Sequence, residues 1–382
     1  MKASAIDFAF QPGVSIRCEE IHTAFAFRAL EVEYRSLHER SSRAGLFQDW
    51  DWLHNWWLVF GSSLCRLAVI TFRRDERLIG CAPLVLRRPG WMPLRRLEPI
   101  GVLRSDYMDL VMEDGAEREV LEAFEDYLHR SRHWDLLDLQ QLPEDSPTLA
   151  YFRERQSVTN CVIREQEICP YALLPSDWDE FLRGLGKKAR YNVGYYRRMM
   201  ERDFQLDIDR VGREDFDAAM EDLYRLHQMR WRKRRLPGAL FDRRVRDFHV
   251  RAASDLLDRR HLDLYRLRLD GRAVAMLYCF GQNGRGYYYL GGFDPDYARY
   301  SAGTVLTAHA IQQSIARGDA IFDFLRGNEA YKYRWNVQEK RNYRLEWKRG
   351  GSRSSILSGM NHVTRAIERQ AKAAAHRLEK GH

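Results

Sequence analysis

The spacing of apolar and polar residues divides the second half of the chain into a clear series of elements. From Leu262 it reads LDLYRLRL, then Asp270-Gly271, then RAVAMLYCF, two strand-like runs joined by a pair suited to a tight hairpin turn. GYYYLGGF follows as an aromatic strand. Val305, Leu306, Ala308, His309, Ile311, Gln312 and Ile315 then recur near the 3.6-residue period, with Gly318 where a helix would end. AIFDFLRG reads as a strand, YKYRWNVQEK as a short helical segment and NYRLEWKR as a last strand.

The first half repeats this order. RLAVITF and IGCAPLVL flank a turn at Arg73 to Arg77, RRLEPIGVLRSDYMDLVM reads as strand, AEREVLEAFEDYLHRSR as helix and DLLDLQQL as strand. Aligning HWDLLDLQ with GDAIFDFL sets Asp138 opposite Asp323. The expected fold class is therefore α+β, a three-layer α/β arrangement in which each half is a mixed, splayed sheet flanked by helices. The expected domains are 1–165 and 166–350, with the boundary near residues 160–175. Beyond them, Ile356, Met360, Val363 and Ile367 give 351–382 the spacing of a basic amphipathic helix that docks, binds a partner or touches a membrane surface weakly.

The halves differ where their long helix begins. Residues 290–304, LGGFDPDYARYSAGT, gather glycines, an arginine and small hydroxyl residues at a helix start. Unpaired amides and the helix dipole favour an anion there by about 0.3–1 kcal/mol per charge. The alternative is an ordinary strand-to-helix turn capped by Ser301 or Thr304. The first half offers MEDGAERE instead, whose Glu113, Asp114, Glu117 and Glu119 repel a phosphate. Only the second copy suits the anion.

Composition fits that picture. In 382 residues, 45% hydrophobic and 12% aromatic, there is material for two cores of ordinary size. The 62 lysines and arginines against 54 acids give a net charge of +8, which favours an anionic ligand. Cys18, Cys65, Cys81, Cys161, Cys169 and Cys279 form no CxxC pair, and His227, His249 and His261 lie at no metal-ligand spacing from them. A reduced, metal-free, cytoplasmic protein is expected. The start MKASAIDFAFQPGV lacks the apolar core of a signal peptide, and runs such as VAMLYCF are too short to cross a bilayer.

A strand followed by an Arg-x-x-small-x-small loop and a helix start resembles the acyl-CoA site of the GNAT acyltransferase superfamily. More narrowly, SDYMDL, FLRGLGKKARYNVGYYRRM, LHQMRWRKRRLPG, YARYSAGTVL and FDFLRGNEAYKYRW resemble the CelD/BcsL-type acetyltransferases, tandem GNAT domains related to the Fem peptidyl transferases. The likeness spans roughly residues 20–350. It implies direct transfer of an acetyl or other acyl group from acyl-CoA to an amine or hydroxyl of a small-molecule or saccharide-linked acceptor, in a monomer or homodimer. The second copy would hold the donor, and the first would be scaffold and half of the acceptor site. Here Arg299 is followed by Ala302 and Thr304 where the usual loop has Gly and then Gly or Ala. Two alternatives remain: a Fem-like transferase using aminoacyl-tRNA, and a non-catalytic binding protein of a polysaccharide or envelope pathway.

Acyl transfer needs a base for the acceptor, donors for the oxyanion and an acid for the thiolate. The backbone of Leu290, Gly291 and Gly292 is expected to hold pantetheine and the thioester oxygen, with a simple bulge as the alternative. Arg299 and the amides of Tyr300, Ser301, Ala302, Gly303 and Thr304 are assigned the pyrophosphate. Asp323, between Phe322 and Phe324, is either the base or a structural partner of Arg326 or Lys332. His227, one turn from Trp231 on a shared face, is the second base candidate or a packing residue. The resemblance places Tyr331 as the acid that returns a proton to the thiolate, with simple aromatic packing as the alternative; Lys332 is its substitute or a contact for a phosphate or an acceptor carboxylate. The face shared by His227 and Trp231 is expected to line the acceptor pocket, Arg326 and Lys332 to hold an acidic acceptor, and Asp106 and Tyr107 to bind substrate.

GKKARYNVGYYRRMMER and RWRKRR interleave bases with aromatics, a pattern that fits nucleic acid but more simply a phosphate-rich cofactor, an anionic acceptor or a solvated face. Trp50, Trp52, Trp56 and Trp57 read as core and interdomain packing, with a sugar-stacking platform as the alternative.

Overall fold

Three two-residue turns shape the sheets: Asp75-Glu76 at φ 47° and 63°, Asp270-Gly271 at 49° and 78°, and Asn283-Gly284 at 52° and 68°. Positive φ at both positions matches the twist of the strands on either side. The computed structural model describes residues 16–88, 94–233 and 238–349, with Arg230, Arg232 and Lys233 as backbone only. The predicted tail helix and the Arg234-Arg235 end of the second basic stretch lie outside the described residues.

The first repeat contains β1 (Ile16–Ile21), α1 (Ala24–Ala29), α2 (Glu31–Glu39), α3 (Trp50–Phe60), β2 (Cys65–Leu67), β3 (Val69–Arg74), β4 (Arg77–Ala82), β5 (Leu84–Arg87), β6 (Arg96–Pro99), β7 (Val111–Met112), α4 (Glu117–Arg130), β8 (Leu136–Pro143), α5 (Pro147–Glu154) and α6 (Gln156–Thr159). Strand β9 (Val162–Leu173) leads into the second repeat: α7 (Trp178–Gly184), α8 (Lys187–Asp203), β10 (Leu206–Arg210), α9 (Phe216–Lys233), α10 (Arg243–Asp258), β11 (Leu262–Leu269), β12 (Arg272–Gln282), β13 (Arg285–Phe293), α11 (Ala302–Arg317), β14 (Ile321–Asp323) and β15 (Gln338–Lys348). The predicted helix starts three residues earlier than Val305 and ends as expected at Gly318, φ 87°. The predicted strand over 95–112 is instead β6, a loop and β7. Gly101, Leu103 and Tyr107, at φ 98°, 75° and 51°, turn the chain between them.

Strands β1-β3-β4-β7 form one sheet, and the other strands form a second in the order β10-β11-β12-β13-β14-β9-β15-β8-β6-β5-β2. The region 160–175, expected to be a boundary, is β9, a central strand. It leaves the first repeat and pairs with β14, Tyr171 opposite Asp323. Strand β15 returns from the second repeat to pair with β8, Glu346 opposite Asp138. β9 and β15 also pair with each other, so each repeat is completed by the other's last strand.

On the second repeat's sheet, α8 and α11 share a core with Tyr288 and Phe322, while α9, α10 and α3 share another with Tyr287. Trp50, Trp52 and Trp56 are buried in the latter, and Trp52 meets Phe248 and Phe280 of the second repeat edge-on at 4.8 and 5.8 Å. All six cysteines are buried and unpaired. Among the described residues no helix is long and apolar enough to cross a membrane.

Candidate active site

The site begins where two parallel strands part. β14 pairs with β13 only from Arg285 to Tyr287. Beyond Asp323 the chain turns away through Leu325 and Gly327, at φ 57° and 110°, while β13 runs on to Phe293. Tyr289 is an extra residue in β13, since Tyr278 pairs with Leu290 and Cys279 with Tyr288. A bulge of this kind bends the strand and aims its backbone outward.

The parting opens a cleft of about 510 Å³ between β13, the start of α11, the first turns of α8 and residues 328–335. Gly291 and Gly292 line it, and each is tightly constrained. A Cβ on Gly292 would sit 2.4 Å from the His227 amide nitrogen, and one on Gly291 would sit 3.0 Å from the Tyr288 hydroxyl. Close approach of α9 and of that phenol therefore accounts for both glycines. Leu290 packs into the core on the other face instead of lining the cleft.

Helix α11 points its first turn into the same cleft. Ser301 precedes it at φ 50°, and no side chain caps it. The alternative of a cap by Ser301 or Thr304 is not seen: their hydroxyls bond each other at 2.9 Å. Ser301, Ala302, Gly303 and Thr304 all line the cleft, and nothing lies within 4 Å of a Cβ built on Gly303. Amides at an uncapped helix start are an anion site. Arg299 and Tyr300 do not join them: Arg299 lies over the Tyr300 ring and bonds its hydroxyl, which donates to Asp203 at 3.0 Å. The cation in the lining is Arg334, and Lys187, Lys188 and Arg190 are exposed on the first turn of α8, next to Ala189, Asn192 and Val193 in the wall.

Of the expected acid and base residues, Tyr331 lines the cleft, its ring 5.8 Å from that of Tyr288. Lys332 does not. Its ammonium is buried and donates to the carbonyls of Leu325, Arg326 and Gly327 at 3.2, 2.8 and 3.2 Å, with Glu329 at 2.9 Å. It is therefore a clamp on the loop, with no donor directed at a substrate. Asp323 is fully buried and off the cleft. It is paired with Lys340 at 3.1 Å and Arg285 at 3.3 Å in place of Arg326 or Lys332, and it accepts from the Leu325 amide at 2.9 Å. His227 and Trp231 meet as their spacing predicts, with the Trp231 indole donating to His227 Nε2 at 2.9 Å, but behind Gly292 and outside the cleft lining.

Asp106 and Tyr107 come together with Arg326 at the junction of the repeats. Arg326 reaches Asp106 at 3.2 Å and the Leu103 carbonyl at 3.0 Å, while the Tyr289 hydroxyl donates to the Arg104 carbonyl at 2.8 Å. Burial raises the Asp106 pKa, and the Arg326 charge partly offsets it. These contacts join SDYMDL to FDFLRG and hold the loop that begins at the end of β14.

Sequence reasoning missed Tyr288, Glu329, Arg334 and Asn192, all of which line the cleft. The period of two in GYYYLGGF separates Tyr288 from Tyr287 and Tyr289, and that signal was available. Glu329 and Arg334 sit where no period applies, and Asn192 lies in α8, whose charged first turn hid the face it presents. Among the described residues no cluster of three or more His, Cys, Asp or Glu is placed to hold a metal ion.

Residues 187–333, from the start of α8 to just past Tyr331, match the family model described as Acetyltransferase (GNAT) domain. No curated protein matches the chain. Among solved structures, FemX superposes with a TM-score of 0.62 at 12% identity, covering 87% of this chain and 97% of that one. The C-terminal domain of a putative lysylphosphatidylglycerol synthetase from Agrobacterium fabrum gives 0.52 at 12% identity, covering 88% and 96%. L-PGS from Bacillus licheniformis gives 0.51 at 12% identity, covering 84% and 97%. At this identity the likenesses show the fold.

Proposed function

We propose that this chain is an acyltransferase of the CelD/BcsL type, moving an acetyl or other acyl group from acyl-CoA directly to an amine or hydroxyl of a small-molecule or saccharide-linked acceptor. The observation that carries this reading is the uncapped start of α11 opening into the cleft where β13 and β14 part. The amides of Ala302, Gly303 and Thr304 bind the pyrophosphate, helped by Arg334, and the β13 backbone beside Gly291 and Gly292 orients pantetheine and the thioester oxygen. Tyr331 gives a proton to the departing thiolate, and Glu329, steadied by Lys332, takes one from the acceptor. The match over 187–333 supports a donor site in the second repeat. The first repeat, residues 1–165, serves as scaffold and half of the acceptor site. Such a reaction belongs in the cytoplasm, on precursors of a polysaccharide pathway.

A thermal-shift titration with CoA and acyl-CoAs tests this directly, because a ligand at a hundred times its Kd stabilises by about 2.7 kcal/mol. Thiol release in the presence of amines and aminosugars then reports turnover. Indifference to every CoA species would overturn the reading, and stabilisation by charged tRNA would replace it with the Fem-like alternative.

A further inference from the structure

A second cavity, of about 330 Å³, lies at the seam between the repeats and shares no residue with the acyl cleft. That volume is at the lower end of the range of small-molecule sites, roughly 300–1,000 Å³. Ser42 to Gln48, Tyr107 and Asp109 come from the first repeat, and Asn283, Arg285, Tyr287 and Lys340 from the second. Tyr287 belongs to the core on the opposite face of β13 from Tyr288, so this cavity lies across the sheet from the start of α11.

Its charges are unevenly matched on the second repeat's wall. Arg285 and Lys340 share one carboxylate, that of Asp323, which is fully buried and already accepts from Tyr107 and Leu325. The Arg285 guanidinium has five N–H donors, and its one acceptor among the described residues is Asp323 at 3.3 Å. The Lys340 ammonium rests over the Tyr107 ring at 3.8 Å. The two side chains remain 30% and 15% exposed, and both line the cavity. The Tyr287 hydroxyl has no hydrogen-bond acceptor among the described residues, and burial pushes its pKa up to about 12, so it stays a donor. On the first repeat's wall, Arg43 lies 3.6 Å from Asp145 and is solvated. Asp109, whose pKa burial raises to about 6, is the other acid in the lining.

Donors thus outnumber acceptors where Arg285, Lys340 and Tyr287 meet, and half-buried donors without acceptors are costly. We infer that the seam cavity binds the carboxylate or phosphate of a small ligand, gripped by Arg285, Lys340 and the Tyr287 hydroxyl. Such a ligand supplies the second anion that these two cations lack. It also bridges the repeats, because Asp323 and Tyr107 lie beneath its anchor. Asp109 restricts the site to ligands with a single anionic end.

The test uses the full chain in thermal-shift titrations with inorganic phosphate and, separately, acetate, each replacing chloride at constant ionic strength. At least one of the two stabilises the wild-type protein saturably, and which one does so identifies the anion class. In Arg285→Gln the apparent Kd rises by about tenfold or more, the loss expected for a charge-assisted hydrogen bond. Arg285→Lys recovers part of that loss. Tyr287→Phe keeps the buried ring and weakens binding without a folding defect. Equal shifts in the wild type and both Arg285→Gln and Tyr287→Phe would place the anion elsewhere and overturn the inference, as would no shift with either anion. Acetyl-CoA is titrated in parallel: loss of its effect in the wild type counts against the acyltransferase reading alone, because the seam residues take no part in the cleft.

Discussion

The Tyr107 hydroxyl donates to the carboxylate of Asp323, 2.9 Å from one oxygen and 3.1 Å from the other, joining a loop of the first repeat to the end of a strand in the second. Asp323 is fully buried, so each of its partners compensates for a desolvated charge. Tyr107→Phe removes one charge-assisted bond and is expected to cost about 1.5–3 kcal/mol. Asp323→Asn leaves Arg285 and Lys340 without their shared anion and is expected to cost more, about 3–5 kcal/mol. Urea denaturation of both variants checks the ranking. A Tyr107→Phe protein as stable as the wild type would show that the bond does not hold the repeats together.

Much of this arrangement could be read in the sequence because it follows from periodicity. The hairpin at Asp270-Gly271 and the helix ending at Gly318 are local patterns, and each describes an element correctly. Partner choice was not readable. Asp323 pairs with Arg285 and Lys340, where Arg326 and Lys332 were expected, because Leu325 at φ 57° swings the following residues away from the strand. The exchange of β9 and β15 escaped as well: VIREQEICPYAL and QEKRNYRLEWK mix polar and apolar residues, and neither pattern encodes which sheet the strand enters. In the cleft, Ser301 to Thr304 were found from the small residues that open α11, whereas Arg299 is drawn off by Tyr300 and Asp203, a contact between elements distant in the chain.

Gly303 allows stability and ligand binding to be moved in opposite directions. It lies in the first turn of α11, lines the cleft and has no neighbour within 4 Å of a built Cβ. Replacing a helical glycine gains up to about 1 kcal/mol, and an acid in the first turn adds about 0.3–1 kcal/mol through the dipole. Gly303→Glu should therefore raise Tm. The same carboxylate occupies the place assigned to a diphosphate, so the Kd for acetyl-CoA should rise by an order of magnitude or more. Unchanged acetyl-CoA affinity in a stabilised variant would remove the start of α11 from the donor site.

Gly292 predicts the reverse. A Cβ there would lie 2.4 Å from the His227 amide nitrogen and 2.7 Å from the Leu226 carbonyl carbon, so α9 must move to admit it. Overpacking of this kind costs about 1–3 kcal/mol. Gly292→Ala should lower Tm by several degrees while Gly303→Ala raises it. Calorimetry of the pair isolates the packing effect from the chemistry of the substitution, and a Gly292→Ala protein of wild-type stability would contradict the packing seen here.

His249 makes stability depend on pH. It is buried among Trp52, Tyr278 and Tyr289, and desolvation is the main cause that lowers its pKa to about 3. A histidine with a depressed native pKa binds its proton only on unfolding. Its contribution is therefore absent as a penalty above the unfolded pKa near 6.5, and it destabilises the fold progressively as pH falls from there toward 3. The slope it imposes is about 1.4 kcal/mol per pH unit. Stability measured from pH 7 to 4 should fall less steeply in His249→Gln than in the wild type. Parallel curves for the two proteins would mean that the ring is solvated or protonated in the native state.

The exchanged strands make the two repeats interdependent. A fragment of residues 1–165 ends inside β9 and lacks β15, so β8 loses the strand that pairs with it from Leu136 to Pro143. A fragment of residues 166–350 keeps β15 but loses the first part of β9 and β8, exposing both edges of β15 over much of its length. Unpaired central strands expose backbone donors and acceptors and invite aggregation. Neither fragment is expected to give the sharp, cooperative unfolding transition of the whole chain, whereas fragments cut after Leu173 and produced together should reassemble through β9 and β15. Hydrogen exchange gives the finer check: amides of β9 and β15 should be protected to the global unfolding limit. Fast exchange in these two strands, with slow exchange elsewhere, would mean that each repeat carries its own stability and that the shared strands merely link them.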